Sequence, residues 1–270
     1  MEMMEKYYTF KMTEMKVSRL TSSQDYQRRI SPNQLKLIQN NFNWNCVTPI
    51  RVSSRDGRYY VFDGQHTFSV IKAMYGDNVV VPVQLYEGLT YEDEAKLTAI
   101  LDRYRQKMRQ SDVDNALAEA DEEDHKNFVT LCESVGYSVH FGTLNTHKDY
   151  FLQNASWVFN NVYMKHDGVF LGKYLAVFTN AFDGSCDYQR SPMQKGIYAF
   201  MRTYYNEYDQ KTLVKALTGK ELAYVKMNAN NDVDHIGDDR YAYVILLWYN
   251  KVASNSKKLP DKLKMRKKKI

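Results

Sequence analysis

The sequence predicts an α+β protein, with a mixed N-terminal domain followed by an all-helical C-terminal domain. Two observations carry this. Short runs rich in β-branched and aromatic residues, at 48–53, 59–62 and 79–86, alternate with helix-like segments in the first 110 residues. Beyond residue 111, apolar residues recur mainly at helical spacing. At 270 residues the chain has room for one large or two modest domains, and an apolar fraction of 44% is enough for a packed core. The expected boundaries are 17–110 for the mixed domain, 111–256 for the helical domain, and 257–270 for a basic, disordered tail.

Taken in order, residues 33–42 read as a helix entered through Ser31-Pro32. A strand follows at 48–53. The turn Arg55-Asp56-Gly57-Arg58 leads into a second strand, and the tight turn Asp63-Gly64 leads from that strand into an amphipathic helix. A third strand at 79–86 precedes a helix at 91–105. Residues 111–124 hold seven carboxylates and no cation, which reads as a solvated helix face linking the two parts. Beyond it, five to six helices are expected. They fall at 123–135 with Gly136 as a stop, and at 147–163, 170–182, 192–208, 210–217 and 240–252. A short strand is expected at 137–141.

The Asp63–Thr67 turn carries the clearest functional signal. Asp63 is placed to cap the helix through its carboxylate, and Gly64 lets the backbone approach a ligand closely. Gln65, His66 and Thr67 lie on the first turn, where unpaired N–H groups and the positive end of the helix dipole favour an anion. The same residues also suit a capped strand-to-helix turn with no ligand.

Three pieces in order, Tyr26-Gln27-Arg28, Asp63-Gly64-Gln65-His66 and Asp102–Arg105, resemble the ParB/sulfiredoxin-like superfamily. Within it the closer resemblance is to phage and mobile-element ParB-like nuclease domain proteins with a DGQH(R) motif. The resemblance spans about residues 17–108. It implies a ParB-like mixed domain and a site for nucleotide phosphate at Gln27, Arg28, Arg29, Gly64, Gln65, His66, Thr67 and Arg105. It also implies a nucleoside triphosphate with Mg²⁺ as cofactor, with Asp102 as an oxygen ligand for the metal. The chain departs from the pattern in three places. Partition-type ParB proteins carry G-E-R-R, where this chain has Gly64-Gln65-His66, and Thr67 stands where the phage relatives usually have Arg, so a bidentate guanidinium grip is missing there. The third family box, E-N-x-x-R, reads Asp102-Arg103-Tyr104-Arg105 after Leu101. The catalytic Cys of sulfiredoxin is replaced by Gln65, which sets that activity aside.

Charge is unevenly placed. The net charge is +5, and residues 257–270 alone carry +7, leaving −2 for the rest. The tail cations Lys262, Lys264, Arg266, Lys267, Lys268 and Lys269 are candidates for contact with nucleic-acid backbone. No run of eighteen apolar residues predicts a membrane span, and the first twelve residues lack the apolar core of a signal peptide. Cys46, Cys132 and Cys186 are far apart and in no metal spacing, as expected of free thiols in a reducing cytoplasm. His140 with His147, and the acidic loop Asp232, Asp234, Asp238 and Asp239 beside His235, are weaker metal candidates.

Three functions follow as expectations. The first is a phage or mobile-element protein that binds nucleotide phosphate and nucleic acid. The second is a metal-dependent nuclease or NTPase using Asp63, His66 and Asp102, with His66 suited to proton transfer near neutral pH. The third is a protein-binding module, regulatory or anti-defence, on a vestigial ParB-like fold. A homodimer is compatible with each.

Overall fold

The protein is described here by a computed structural model, which covers residues 8–22, 25–105, 107–142 and 148–265. It divides into two compact units, Met1–Lys107 and Met108–Ile270, and the architecture is mixed: a sheet with helices in the first unit, helices in the second.

The first unit is built on five strands: β1 (Phe10–Lys16), β2 (Leu20–Thr21), β3 (Ile50–Arg55), β4 (Arg58–Asp63) and β5 (Val80–Glu87). Their order across the sheet is β1-β5-β3-β4-β2. β3 and β4 form a hairpin closed by Asp56 and Gly57, both at positive φ, as a two-residue turn that follows the twist of the strands requires. β5 runs parallel to β3, pairing Ile50 with Val83, and β1 runs antiparallel to β5 along the edge. The strands at 48–53, 59–62 and 79–86 are thus located. β1 and β2 were not anticipated, and β1 begins before the expected domain start at residue 17.

Alternation along the strands sets the core. Ile50 and Val52 on β3, with Val81, Val83 and Leu85 on β5, face one side of the sheet. Against them packs α2 (Gln65–Tyr75), through Phe68 and Ile71 one turn apart. Two further helices complete the unit. α1 (Pro32–Asn40) has Ser31 as its cap, the hydroxyl accepting the Gln34 N–H. α3 (Tyr91–Tyr104) opens with a capping box in which Thr90 and Asp93 each accept the other's backbone N–H.

In the second unit the acidic segment is not a linker. It forms the expected helix, α4 (Gln110–Glu119), but not every carboxylate on it is solvated: Asp114 is only 1% exposed. A buried carboxylate needs donors around it. Gln110, Ser156 and Asn160 all donate to Asp114, and His125 lies beside it. The remaining helices are α5 (Glu123–Ser134), α6 (Ala155–Val158), α7 (Gly168–Phe182), α8 (Ser191–Thr203), α9 (Gln210–Leu217), α10 (Leu222–Asn231) and α11 (Asp239–Val252). The expected helix at 147–163 reduces to α6 and the π-turn Phe159–Tyr163, with residue 147 outside the described residues. The expected strand at 137–141 is a single bridge, Ser138 to Phe151. α8 ends five residues earlier than the 192–208 reading, and α10 was not anticipated. α8 and α11 pack closely where Gly196 faces Tyr241; a Cβ there would lie 2.8 Å from the Tyr241 Cβ.

The tail is corrected as well. Residues 257–265 do not form a disordered end. Leu259 and Leu263 are 8% and 6% exposed within the helical core. The Asn250 side chain holds the backbone N–H and C=O of Leu259, both at 2.8 Å. The Tyr204 hydroxyl donates to the Pro260 carbonyl and accepts the Lys262 N–H. Two leucines four residues apart supply enough apolar surface to anchor a segment that its lysines would otherwise keep in solvent.

Candidate functional site

The turn after β4 and the N-terminus of α2 open onto a cleft of about 900 Å³ within the first unit. Its walls include Gln27, Arg28, Arg29, Asp63, Gly64, Gln65, His66, Thr67, Asp102 and Arg105. Every residue singled out in the three sequence pieces as phosphate-binding, catalytic or metal-ligating therefore lines one cavity. Tyr26, Ser31, Gln34, Thr98 and Lys107 also line it.

Gly64 is the cap of α2 and sits at φ 87°, a left-handed conformation that a side chain would strain. A Cβ on Gly64 would meet Ile50 only at an ordinary 3.7 Å, so the backbone angle rather than crowding calls for glycine. Asp63 does not cap α2, which has no side-chain cap. Its carboxylate turns away to two guanidinium groups: Arg51 at 3.1 Å, and Arg105 at 3.2 and 3.0 Å. A β-bulge between β3 and β4 falls at the Arg51–Asp63 pair and helps aim both side chains.

The segment carrying Arg28 is tied to α2 and α3. The Gln65 amide donates to the Arg28 carbonyl at 2.9 Å, and Gln27 donates to the Val61 carbonyl. Arg28 pairs with Asp102 at 3.0 Å, both largely exposed. Tyr26 donates to Glu94, a fully buried carboxylate that also takes Arg55 at 3.2 Å. Burial and the Glu94 hydrogen bond push the Tyr26 phenol well above its usual range.

His66 accepts the Ser31 backbone N–H through Nε2 at 3.3 Å. That bond requires a neutral ring with its proton on Nδ1. Partial burial first, and the Arg28 charge second, hold the His66 pKa below its ordinary value.

The cleft lining holds four cations, Arg28, Arg29, Arg105 and Lys107, and two carboxylates, Asp63 and Asp102, leaving positive charge in excess. Arg29 and Lys107 make no ion pair among the described residues. Asp102, expected as a metal ligand, pairs with Arg28. Among the described residues no three His, Cys, Asp or Glu side chains converge as a metal site. In the acidic loop, Asp232 holds His235, and Asp239 holds Arg202 and the Lys264 N–H. His140 has a buried Nδ1 without a partner, and His147 lies outside the described residues. Of the tail cations, Lys262 is paired with Glu207 at 2.7 Å, Lys264 is described, and Arg266, Lys267, Lys268 and Lys269 lie outside the described residues. Sequence reasoning missed Arg51 and Lys107; an Arg within the apolar strand 50–53 was the available signal for the first.

The chain belongs to the family of unknown function DUF6551, whose model matches residues 21–263. No curated protein matches it. Among solved structures it is similar to the C-terminally truncated chromosome-partitioning protein ParB from Caulobacter crescentus complexed with CTP-γ-S. That match has 14% identity and a TM-score of 0.36, and covers 77% of this chain and 98% of that one. The same ParB complexed to the centromeric parS site matches at 14% identity and TM-score 0.29, covering 82% and 100%. A Pnob8-like ParB-N domain matches at 9% identity and TM-score 0.31, covering 82% and 98%. Likenesses at such scores do not bear on what this chain binds.

Proposed function

We propose that the cleft of the first unit binds a nucleoside triphosphate through its phosphates. The observation that carries this reading is the gathering of Arg28, Arg29, Arg105 and Lys107 around the N-terminus of α2 in one cleft. Its size is in the range usual for small-molecule sites. Guanidinium groups suit phosphate oxygens in bidentate geometry, and the unpaired N–H groups of the α2 first turn add to the attraction. Two of the arginines are held by Asp102 and Asp63, so an incoming phosphate competes with those carboxylates. Any Mg²⁺ would then arrive with the triphosphate and meet the released carboxylates.

Binding is favoured over catalysis by one observation. His66 uses Nε2 to accept the Ser31 N–H, so its ring does not stand ready as a base. Calorimetry with CTP and ATP, with and without Mg²⁺, tests the reading. Arg28→Ala is expected to weaken binding at least tenfold, and equal affinity in the variant would refute it.

A further inference from the structure

The second unit holds a pocket that the cleft reading does not use. It lies between α10 and α11 and the chain that follows, has a volume of about 410 Å³, and is lined by Tyr224, Asn228, Trp248, Lys251 and Lys258 among others. Four features converge there. Tyr224 is 47% exposed, on a helix where the buried residues are Val225 and Ala229. Its ring lies 5.7 Å from that of Trp248 at 30°, and Trp248 is itself almost covered. Tyr224 therefore presents an aromatic face backed by a rigid second ring. Lys251 and Lys258 are exposed and make no ion pair among the described residues, and no carboxylate lines the pocket. The Lys220 ammonium stands 5.6 Å over the Trp248 ring and adds a third positive charge. Asn228 donates its amide to the Tyr224 carbonyl at 2.8 Å, which leaves its side-chain oxygen as an acceptor for a ring amine or imide.

An exposed aromatic face with flanking cations, a hydrogen-bonding amide and no opposing carboxylate is the chemistry that receives a stacked base between two phosphates. An acidic peptide would use the lysines but has no need of the flat aromatic wall or the amide oxygen. We propose that this pocket holds one base of a single-stranded nucleic acid, stacked on Tyr224, with the flanking phosphates on Lys251 and Lys258. This site is separate from the cleft and does not depend on how the cleft is read.

The test is a titration of the full chain with a labelled thymidylate oligomer at several salt concentrations. Tyr224→Ala, at an exposed position, should keep the melting temperature and weaken binding about fivefold or more, the range of one lost stacking contact. Lys251→Gln with Lys258→Gln should lower the salt slope by about 1.4, two phosphate contacts on a single strand. The oligomer should also quench tryptophan fluorescence in the wild type, and Trp248→Phe should remove most of that quench. Failure of the wild type to bind the oligomer would overturn the proposal. So would unchanged affinity in Tyr224→Ala, an unchanged salt slope in the lysine variant, or poly-glutamate binding as tightly as the oligomer.

Discussion

Arg105 reaches both oxygens of Asp63, at 3.2 and 3.0 Å. Arg105 stands at the exposed end of α3, and Asp63 is the last residue of β4. Both line the cleft, and the pair neutralises a cation that a phosphate would otherwise attract. On the proposed reading, a bound triphosphate would exchange one anionic partner of Arg105 for another.

Asp63→Asn tests that exchange. The amide keeps the shape of the side chain but releases Arg105 and leaves Arg51 with a weaker partner. Triphosphate affinity should rise by a few fold, while stability should fall by roughly 1 to 3 kcal/mol, between the values for exposed and buried pairs. Had Asp63 acted as a helix cap, Asn would have replaced it at little cost. Calorimetry and thermal melts on the same variant separate the two, and lower affinity together with unchanged stability would contradict the exchange.

His66 gives a prediction in pH. Its pKa is held below the ordinary value by burial and by Arg28. A histidine lowered in the folded state binds its proton better when unfolded. Its contribution is therefore present above about pH 6.5 and is lost as pH falls towards the folded pKa. His66→Gln keeps an acceptor for the Ser31 N–H and removes the titration. The stability difference between variant and wild type should change in the variant's favour as pH is lowered below about 6.5. The variant should also bind nucleotide nearly as well as the wild type. Hydrolysis of CTP or ATP by the wild type that disappears in His66→Gln would instead make His66 a proton carrier.

The sequence placed the residues of the cleft better than it placed their partners. Gly64 was singled out for close approach of a ligand, and the structure adds a second reason for glycine there, a left-handed φ of 87°. Asp63 was misread because a residue before a helix looks locally like a cap, whereas its partners Arg51 and Arg105 stand 12 and 42 positions away. Asp114 was misread for the same reason: within a run of seven carboxylates nothing local marks the one that Ser156 and Asn160 bury. β1 was missed because Phe10 and Met12 lie exposed and only Met15 is deeply buried, so the alternation carries little apolar contrast. α10 was missed because it buries only Val225 and Ala229 in ten residues.

His235 joins the loop before α11 to the C-terminal segment. Its Nδ1 lies 2.8 Å from Asp232 and its Nε2 2.9 Å from Asp261, with Tyr243 stacked on the ring. Burial opposes the charge, but the hydrogen bonds to Asp261 and Asp232 outweigh it and raise the pKa. A raised histidine stabilises the fold below its unfolded pKa, about 6.5, and that contribution is lost as pH rises through the folded value. Stability should therefore decline as pH rises above about 6.5, and His235→Gln should flatten the decline. Denaturant melts between about pH 6 and pH 9 check this; a variant with the same pH dependence as the wild type would show that the clasp carries no charge.

Leu263 tests whether the C-terminal segment is part of the helical unit. A lysine-rich tail in solvent would tolerate any change there, and its removal would leave the melting temperature where it was. Leu263 is instead 6% exposed and belongs to the same core cluster as Tyr204 and Tyr249. The Leu263 N–H is held by Asp261, whose other oxygen takes His235, and Lys262 is fixed by Glu207 and Tyr204. Truncating a buried leucine removes its transfer energy and leaves a cavity, together about 2 to 4 kcal/mol when the surroundings relax in part. Leu263→Ala should lower the melting temperature of the chain by several degrees. Lys264→Ala, whose side chain is exposed while its backbone N–H is bound by Asp239, should leave the melting temperature almost unchanged. Equal melting temperatures for Leu263→Ala and the wild type would mean that the segment is not held by its leucines.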